Sequence, residues 1–149
     1  MKTIYLDMDG TCANLYAVDS WLDYLLNEDT FPYRMAELMF SDLEIDFLNK
    51  WVENGNQVSV ISWLSKGGSR SYNKRVRAAK VRWLKKYLPI QYAEIHIVKY
   101  GTPKSRFGKE GDILIDDELR NLVDWGKDGK RIALSPIDFQ NIVEEGRSL

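Results

Sequence analysis

Five short apolar segments, each of strand length, recur along this chain and are separated by segments with helical spacing. They are rich in Ile, Val and Leu and are bordered by turn-forming residues: TIYLDM (3–8), QVSVIS (57–62), AEIHIV (93–98), DILIDD (112–117) and RIAL (131–134). Runs of this kind are typical of buried strands. Because strands that alternate with helices need crossover connections, the sequence predicts an α/β fold with a mainly parallel five-stranded sheet between two helical layers.

The segments between and after these strands predict helices with recognisable ends. The clearest starts at Ser41, a residue type that caps helices, has Glu44 three positions later as in a capping box, and is followed by Gly55. The predicted helices cover residues 41–54, 72–87, 117–129 and 136–146. In the second of them, one face carries Val76, Ala79, Trp83 and Tyr87.

One connection is longer than the others. Between the first strand and the helix at 41–54, residues 16–26 are apolar at helical spacing, and YRMAELMF (33–40) predicts a second short helix after Pro32. We expect a small helical cap insert, residues 13–40, over the carboxyl end of the first strand, where open parallel sheets bind ligands. No linker or repeat interrupts the chain, so we expect a single domain over residues 1–149.

Composition excludes several classes of function. The formal net charge of −1 provides no general attraction to nucleic acid or membranes, and no apolar run approaches the length of a bilayer span. The lone cysteine, Cys12, is typical of a reducing compartment, so we expect a soluble, cytoplasmic protein. A nucleophilic pair of Cys12 with His96 is disfavoured, because His96 lies inside a predicted strand.

Two of the predicted strands end in pairs of carboxylates. Asp7 and Asp9 follow the first strand, and Asp116 and Asp117 end the fourth. Each pair alone is compatible with an Asx turn. Because the carboxyl ends of parallel strands meet at one edge of a sheet, we expect the two pairs to converge there, and clustered carboxylates require a cation. Oxygen ligands of this kind suit Mg²⁺.

A hydroxyl and an ammonium complete the predicted site. The second strand ends in Ser62, followed by Trp63, and a hydroxyl with free amides after a strand can hold phosphate oxygens. Lys104 lies in the loop before the fourth strand and can bring positive charge to the acidic edge. The alternative is that Lys104 is a solvated loop lysine. Gly10 permits a sharp exit from the first strand, and for Thr11 we favour a structural role in that turn.

The order DMDGT, Ser62, Lys104 and DILIDD resembles the four motifs of the haloacid dehalogenase-like (HAD) phosphohydrolase superfamily. The resemblance covers residues 3–135 and implies a Rossmann-like fold. Asn121 in LIDDELRN and the RWLKKYL segment are similar to those of the 5′(3′)-deoxyribonucleotidases. The insert of this chain is shorter than the usual cap of those enzymes, and its serine stands where many have threonine.

The resemblance also implies roles for the matching residues. Asp7 is expected to be the nucleophile that forms an aspartyl-phosphate, and Asp9 the general acid and base. Asp7, Asp9 and Asp116 are expected near Mg²⁺ together with the Met8 carbonyl, and Asp117 and Asn121 support them. Ser62, Trp63 and Lys104 are expected to hold the transferring phosphoryl group, and Lys104 is also expected to hold Asp7 ready. The implied activity is a Mg²⁺-dependent phosphomonoesterase, with nucleoside monophosphates as substrates.

Substrate choice is expected to come from the insert. Its aromatic residues Trp21, Phe31 and Tyr33 suit stacking on a base, although they also suit the insert's own core. Residues 66–86 contain many Lys and Arg and no Asp or Glu, so the terminal phosphate of a nucleic acid is an alternative substrate. Another small phosphometabolite and a noncatalytic binding module are further alternatives. A short insert leaves the site open enough for a homodimer in which a second subunit completes it.

Overall fold

The computed structural model describes residues 1–149, and its centre is a five-stranded parallel sheet. The strands are β1 (Thr3–Leu6), β2 (Gln57–Trp63), β3 (Tyr92–Val98), β4 (Ile113–Ile115) and β5 (Ile132–Leu134). Their spatial order is β3-β2-β1-β4-β5, and every neighbouring pair is parallel. The predicted α/β class and strand number are therefore confirmed, with β1 in the middle of the sheet.

Six helices and two 3₁₀ turns connect the strands. The helices are α1 (Trp21–Leu26), α2 (Phe31–Met35), α3 (Asp42–Glu53), α4 (Arg70–Tyr87), α5 (Leu119–Gly126) and α6 (Pro136–Glu144). The 3₁₀ turns cover Leu15–Ala17 and Lys104–Arg106. None of the helices combines the length and the apolar composition that crossing a bilayer requires.

Alternating side chains of the strands divide the core into two layers. On one face, Leu6 and Val60 belong to a cluster with Leu48 of α3, Leu84 of α4 and Phe139 of α6. The opposite face packs Tyr5, Ile61 and Leu114 against Trp125 of α5. Each fully buried side chain of this kind contributes about 1.5–3 kcal/mol to folding. The result is the predicted three-layer arrangement.

The start of α3 follows from its own sequence. The Ser41 hydroxyl oxygen accepts a hydrogen bond from the Glu44 amide, and the Glu44 carboxylate accepts one from the Ser41 amide. This reciprocal pair satisfies two amides that the first helical turn leaves without partners, as the capping box predicts. Helix α4 begins earlier than predicted, at Arg70, because the Ser69 hydroxyl caps it by accepting from the Tyr72 amide.

The cap insert differs in detail from the prediction. Helix α1 begins only at Trp21, since Ser20 adopts a left-handed conformation with φ of 60°. The predicted bounds of the second helix are wrong: α2 begins at Phe31 and places Pro32 in its first turn, where a missing amide costs nothing. The chain leaves the helix at Ala36, and Leu38 forms an antiparallel bridge with Ala13, so 36–40 pairs with the chain just after β1.

The sheet register brings the ends of β1 and β4 together. Leu6 is paired with Ile115, and the Asp7 amide donates to the Ile115 carbonyl at 3.0 Å. The residues that follow these two strands therefore start from neighbouring positions on one edge of the sheet. The cap insert leaves β1 at the same edge.

Candidate active site

Three carboxylates from the ends of β1 and β4 form the centre of the site. Oxygen atoms of Asp7, Asp116 and Asp117 all lie within 4.8 Å of one another. Asp7 and Asp116 are buried, whereas Asp117 is exposed. The acidic residues of the two separate sequence segments thus meet at one point, as expected from the parallel register.

The ammonium of Lys104 connects the two buried carboxylates. Its Nζ lies 2.7 Å from Oδ1 of Asp7 and 2.8 Å from Oδ2 of Asp116. Lys104 belongs to the 3₁₀ turn before β4, and its side chain is 1% exposed. A buried lysine of this kind is stable only when paired, so the solvated-lysine alternative does not describe this structure.

Further hydrogen bonds hold the carboxylates in place. Asp116 accepts from the Glu118 amide at 2.9 Å and from the Asn121 side-chain amide at 3.0 Å. The Thr11 hydroxyl lies 3.0 Å from Oδ2 of Asp7 and 3.2 Å from Oδ1 of Asp117. With these bonds, residues of the β1 exit, the Lys104 turn and the start of α5 all orient the same cluster.

The carboxylates of the cluster differ in proton affinity. Burial raises the pKa of Asp7, but the charge and hydrogen bonds of Lys104 outweigh it and hold that pKa below its usual value. Burial and the neighbouring charge of Asp7 raise the pKa of Asp116 to about 6. Burial, a hydrogen bond with Asp7 and the charges of Asp7 and Asp116 raise the pKa of Asp117 to about 8. Asp7 is therefore the carboxylate of the three that stays ionised to the lowest pH.

The cluster suits a divalent cation. When all three carboxylates are ionised, the single ammonium of Lys104 leaves two negative charges uncompensated. Burial, together with that repulsion, raises the pKa values of Asp116 and Asp117. Carboxylate oxygens are the ligands that Mg²⁺ prefers, so Asp7, Asp116 and Asp117 fit the ion by donor type and by charge.

Two groups predicted near Mg²⁺, the Asp9 carboxylate and the Met8 carbonyl, are bound to other partners. The Asp9 carboxylate lies outside the group of three, because its Oδ2 is 2.8 Å from Nζ of Lys80. The Met8 carbonyl accepts hydrogen bonds from the amides of Thr11, Cys12 and Ala13, so the turn after β1 uses its lone pairs. Asp117 is the third carboxylate of the cluster, whereas Asp9, which the sequence predicted near Mg²⁺, lines the same cavity.

Lys80 is a site residue that the sequence analysis missed. It lies on α4, is 1% exposed, and also donates to the Ser62 hydroxyl and the Trp63 carbonyl, each at 2.7 Å. The signal that could have found it is helical spacing: Lys80 follows Val76 by four positions and precedes Trp83 by three, so it shares their buried face. Because residues 66–86 contain many other Lys and Arg residues, Lys80 does not stand out in the sequence.

Ser62 and Trp63 lie beside the carboxylate cluster with their polar groups already engaged. Ser62 is buried, and its hydroxyl oxygen accepts from Lys80. The Trp63 ring covers Lys104, with Nζ 5.4 Å from the ring centroid, and its indole nitrogen donates to the Thr102 carbonyl at 2.9 Å. Trp63 lines the cavity above the carboxylates, whereas Ser62 is not part of its lining.

A cavity of about 340 Å³ opens above the carboxylates. Asp7, Asp9, Asp116 and Asp117 form its polar floor, and its apolar wall comes mainly from the cap insert and from the ends of β2 and β3: Leu15, Tyr16, Trp21, Leu22, Leu25, Leu26, Tyr33, Trp63, Leu64 and Tyr100. A small ligand held at the floor would therefore place its remaining part against this wall.

The predicted aromatic residues of the insert separate into two groups. Trp21 and Tyr33 line the cavity, and the Trp21 ring contacts that of Tyr16 edge to face. Phe31 is absent from the cavity lining and stacks on Tyr24 at a centroid distance of 4.7 Å. Phe31 therefore belongs to the packing of the insert itself.

Comparison with known proteins identifies the fold but not a close relative. No family model matches the sequence, and no curated protein does. Two solved structures superpose with a TM-score of 0.52: D,D-heptose 1,7-bisphosphate phosphatase from B. bronchiseptica, complexed with magnesium and phosphate, and the same enzyme from Burkholderia thailandensis. Their identities are 12% and 11%, and the alignments cover 97% and 98% of both chains. This chain therefore shares their fold over at least 97% of its length.

Proposed function

We propose that this chain is a HAD-like phosphohydrolase, a Mg²⁺-dependent phosphomonoesterase that works through an aspartyl-phosphate. The observation that carries the proposal is the ion-paired chain Asp7–Lys104–Asp116, with Asp117 beside it, at the floor of a cavity. The shared fold with a phosphatase whose structure holds magnesium and phosphate supports it.

Asp7 is the nucleophile in this proposal. Its lowered pKa keeps the carboxylate ionised, and its side chain lines the cavity where a phosphate would lie. A carboxylate oxygen of Asp7 forms a bond to phosphorus while the bond from phosphorus to the ester oxygen breaks. Lys104, which contacts Oδ1, orients that carboxylate and places positive charge beside the reacting oxygens.

Asp9 moves the protons. It lines the same cavity two residues after the nucleophile, so it can protonate the departing ester oxygen. The resulting carboxylate can then accept a proton from the water that attacks the phosphorus of the aspartyl-phosphate, which releases phosphate and restores Asp7. One residue thereby serves both half-reactions.

Asp7, Asp116 and Asp117 are the residues that would hold Mg²⁺. When bound, the ion supplies positive charge that stabilises the phosphoryl oxygens in the transition state. Asn121, the Glu118 amide and Lys104 fix Asp116, and Thr11 contacts both of the other carboxylates, so the oxygen ligands are oriented before the ion arrives.

For the substrate we propose a nucleoside monophosphate. A cavity of about 340 Å³ is within the usual range for small-ligand sites, and its wall offers Trp21, Tyr33 and Tyr100 above an acidic floor. Aromatic side chains in that position suit a flat base at one end of the ligand while the phosphate occupies the other. Resemblance to the 5′(3′)-deoxyribonucleotidases favours the same substrate class.

A second candidate substrate is the terminal phosphate of a nucleic acid. Apart from the buried Lys80, the cations of the basic segment, residues 66–86, are exposed. They are Lys66, Arg70, Lys74, Arg75, Arg77, Arg82, Lys85 and Lys86. Lys66 also lines the cavity, so this charged surface begins at the proposed active site. A basic helix of this kind suits a phosphate backbone.

The first experiment measures phosphate release from an aryl phosphate with and without Mg²⁺. We expect Mg²⁺-dependent hydrolysis that Asp7→Asn abolishes, because the amide cannot act as the nucleophile. Asp46→Asn is the matched control: Asp46 is exposed on α3 and pairs with Lys50 at the surface, so it should leave the rate unchanged. Release without Mg²⁺, or undiminished release by Asp7→Asn, would contradict the proposal.

A second experiment separates the two substrates. Release rates are compared for nucleoside 5′-monophosphates and for a 5′-phosphorylated single-stranded oligonucleotide at low and high salt. Mononucleotide hydrolysis that varies little with salt supports the first candidate. Faster, strongly salt-dependent hydrolysis of the oligonucleotide favours the second, since counterion release dominates polyanion binding.

A further inference from the structure

The buried ammonium of Lys80 contacts the second aspartate of the site. Lys80 lies on α4, 71 residues along the chain from Asp9, and its Nζ is 2.8 Å from Oδ2 of Asp9. The lysine side chain is 1% exposed and that of Asp9 is 21% exposed. The site thus contains two buried ammonium groups, because Lys104 pairs with Asp7, the first aspartate of the DMDGT segment.

All three protons of the Lys80 ammonium have acceptors within the protein. Besides Asp9, they are donated to the Ser62 hydroxyl and the Trp63 carbonyl, each at 2.7 Å. An ammonium has three donors, so none remains for a substrate phosphate. Lys80 therefore acts on whatever enters the cavity only through the groups it holds.

The contacts of Lys80 define the orientation of Asp9. The ammonium binds Oδ2, and no hydrogen bond engages Oδ1, while Asp9 lines the cavity. The Tyr33 ring covers the ammonium at 5.0 Å from its centroid, which shields the pair from solvent. The other partners of Lys80 belong to the end of β2, so helix, sheet and cap insert together determine where Asp9 points.

We propose that Lys80 is a positioning residue that holds Asp9 in the orientation required for proton transfer to the leaving group. This inference rests on the proposed function. In the step concerned, Asp7 bonds to phosphorus, the bond from phosphorus to the ester oxygen breaks, and a proton on Oδ1 of Asp9 passes to that oxygen. Without the bond to Oδ2, the Asp9 side chain is free to turn away from the cavity or towards the other carboxylates.

The test uses two esters that differ in their need for this proton. The phenolate of phenyl phosphate is a poor leaving group that requires protonation, whereas that of dinitrophenyl phosphate departs without it. Lys80→Met removes the ammonium and keeps the length of the side chain. We expect kcat/KM for phenyl phosphate to fall about 10- to 100-fold more than that for dinitrophenyl phosphate.

The ratio of the two kcat/KM values distinguishes a loss of positioning from partial unfolding of the variant. Partial unfolding of Lys80→Met would lower both values by the same factor and leave the ratio unchanged. Lys50→Met is the matched control, because Lys50 is exposed on α3, where it pairs with Asp46 away from the site. It should leave both values and the ratio as in the unaltered protein.

A double variant tests whether Lys80 acts through Asp9. Asp9→Asn should change the ratio in the same direction, and adding Lys80→Met to it should change the ratio no further. An unchanged ratio in Lys80→Met, or an equal effect in the Asp9→Asn background, would overturn the positioning role. If the unaltered protein hydrolyses neither ester with Mg²⁺, the proposed function fails and this inference fails with it.

Discussion

Gly10 lies directly beneath the carboxylate of Asp117. A Cβ atom on Gly10 would come within 2.8 Å of Cγ of Asp117 and closer still to Oδ2, and the residue has φ of +82°. The glycine after the DMD segment therefore has two reasons to lack a side chain: the backbone conformation and the position of a carboxylate from another strand.

Gly10→Ala should consequently weaken metal binding as well as stability. The left-handed conformation costs about 1–2 kcal/mol, and the added methyl group displaces Asp117. We expect the Mg²⁺ concentration for half-maximal activity to rise about tenfold. The control is Gly55→Ala, which has φ of +88° and open space around the added atom. It should show similar backbone strain in thermal unfolding with an unchanged Mg²⁺ requirement; equal Mg²⁺ responses would contradict the prediction.

The stability of the metal-free protein should fall as the pH rises towards 8. Asp116 and Asp117 have pKa values of about 6 and about 8 in the fold, above the ordinary value of 3.8. Between pH 4 and 8 these two carboxyl groups thus bind more protons in the folded state than in the unfolded state. The free energy of unfolding therefore decreases as the pH rises above about 4. The stabilising contribution of each carboxyl group is fully lost once the pH has passed the pKa of that group in the folded state.

Mg²⁺ should reverse this trend. Because the ion binds ionised carboxylates, the increase in Tm caused by Mg²⁺ should be small at pH 5.5 and larger at pH 8. Thermal unfolding at several pH values, with Mg²⁺ and with a chelator, provides the measurement. A Mg²⁺-induced change in Tm that is the same at every pH would show that these carboxylates do not bind the ion.

Lys104→Met should be among the most damaging single changes. It leaves Asp7 and Asp116 buried together without the ammonium that contacts both. Removing one partner of a buried pair costs about 3–5 kcal/mol, so we expect a large loss of Tm and of activity. Lys109→Met serves as control, since Lys109 is exposed in the same connection. A Lys104→Met protein with near-normal activity would be incompatible with the proposed site.

Trp21→Ala should affect nucleotides more than their sugar phosphates. Trp21 lines the cavity, whereas Phe31 stacks on Tyr24 outside it. Stacking on a base is worth about 1–3 kcal/mol, so kcat/KM for a deoxynucleoside monophosphate should fall at least about fivefold relative to that for deoxyribose 5-phosphate. Phe31→Ala should leave this ratio unchanged. The same ratio in both variants would remove Trp21 from base recognition.

Much of the fold could be predicted because its signals are local. Runs of Val, Ile and Leu indicate strands, and the Ser41 and Glu44 pair indicates where α3 begins, since each depends on residues a few positions apart. The convergence of Asp7 with Asp116 and Asp117 could also be predicted from the sequence, because the carboxyl ends of parallel strands lie at one edge of a sheet. Residues 36–40 departed from their helical pattern because Leu38 pairs with Ala13, a contact made only in the folded chain.

The sequence by itself therefore determined the α/β class, most of the helices and strands, and the meeting of two acidic segments. The resemblance had already implied that Lys104 holds Asp7, but only the tertiary structure showed that Lys80 pairs with Asp9 and that Lys104 also contacts Asp116. The tertiary structure also decided that Trp21 faces the cavity while Phe31 does not. The physical reason is that these contacts join residues far apart in the chain, and their geometry depends on how α4 and the cap insert pack across the end of the sheet.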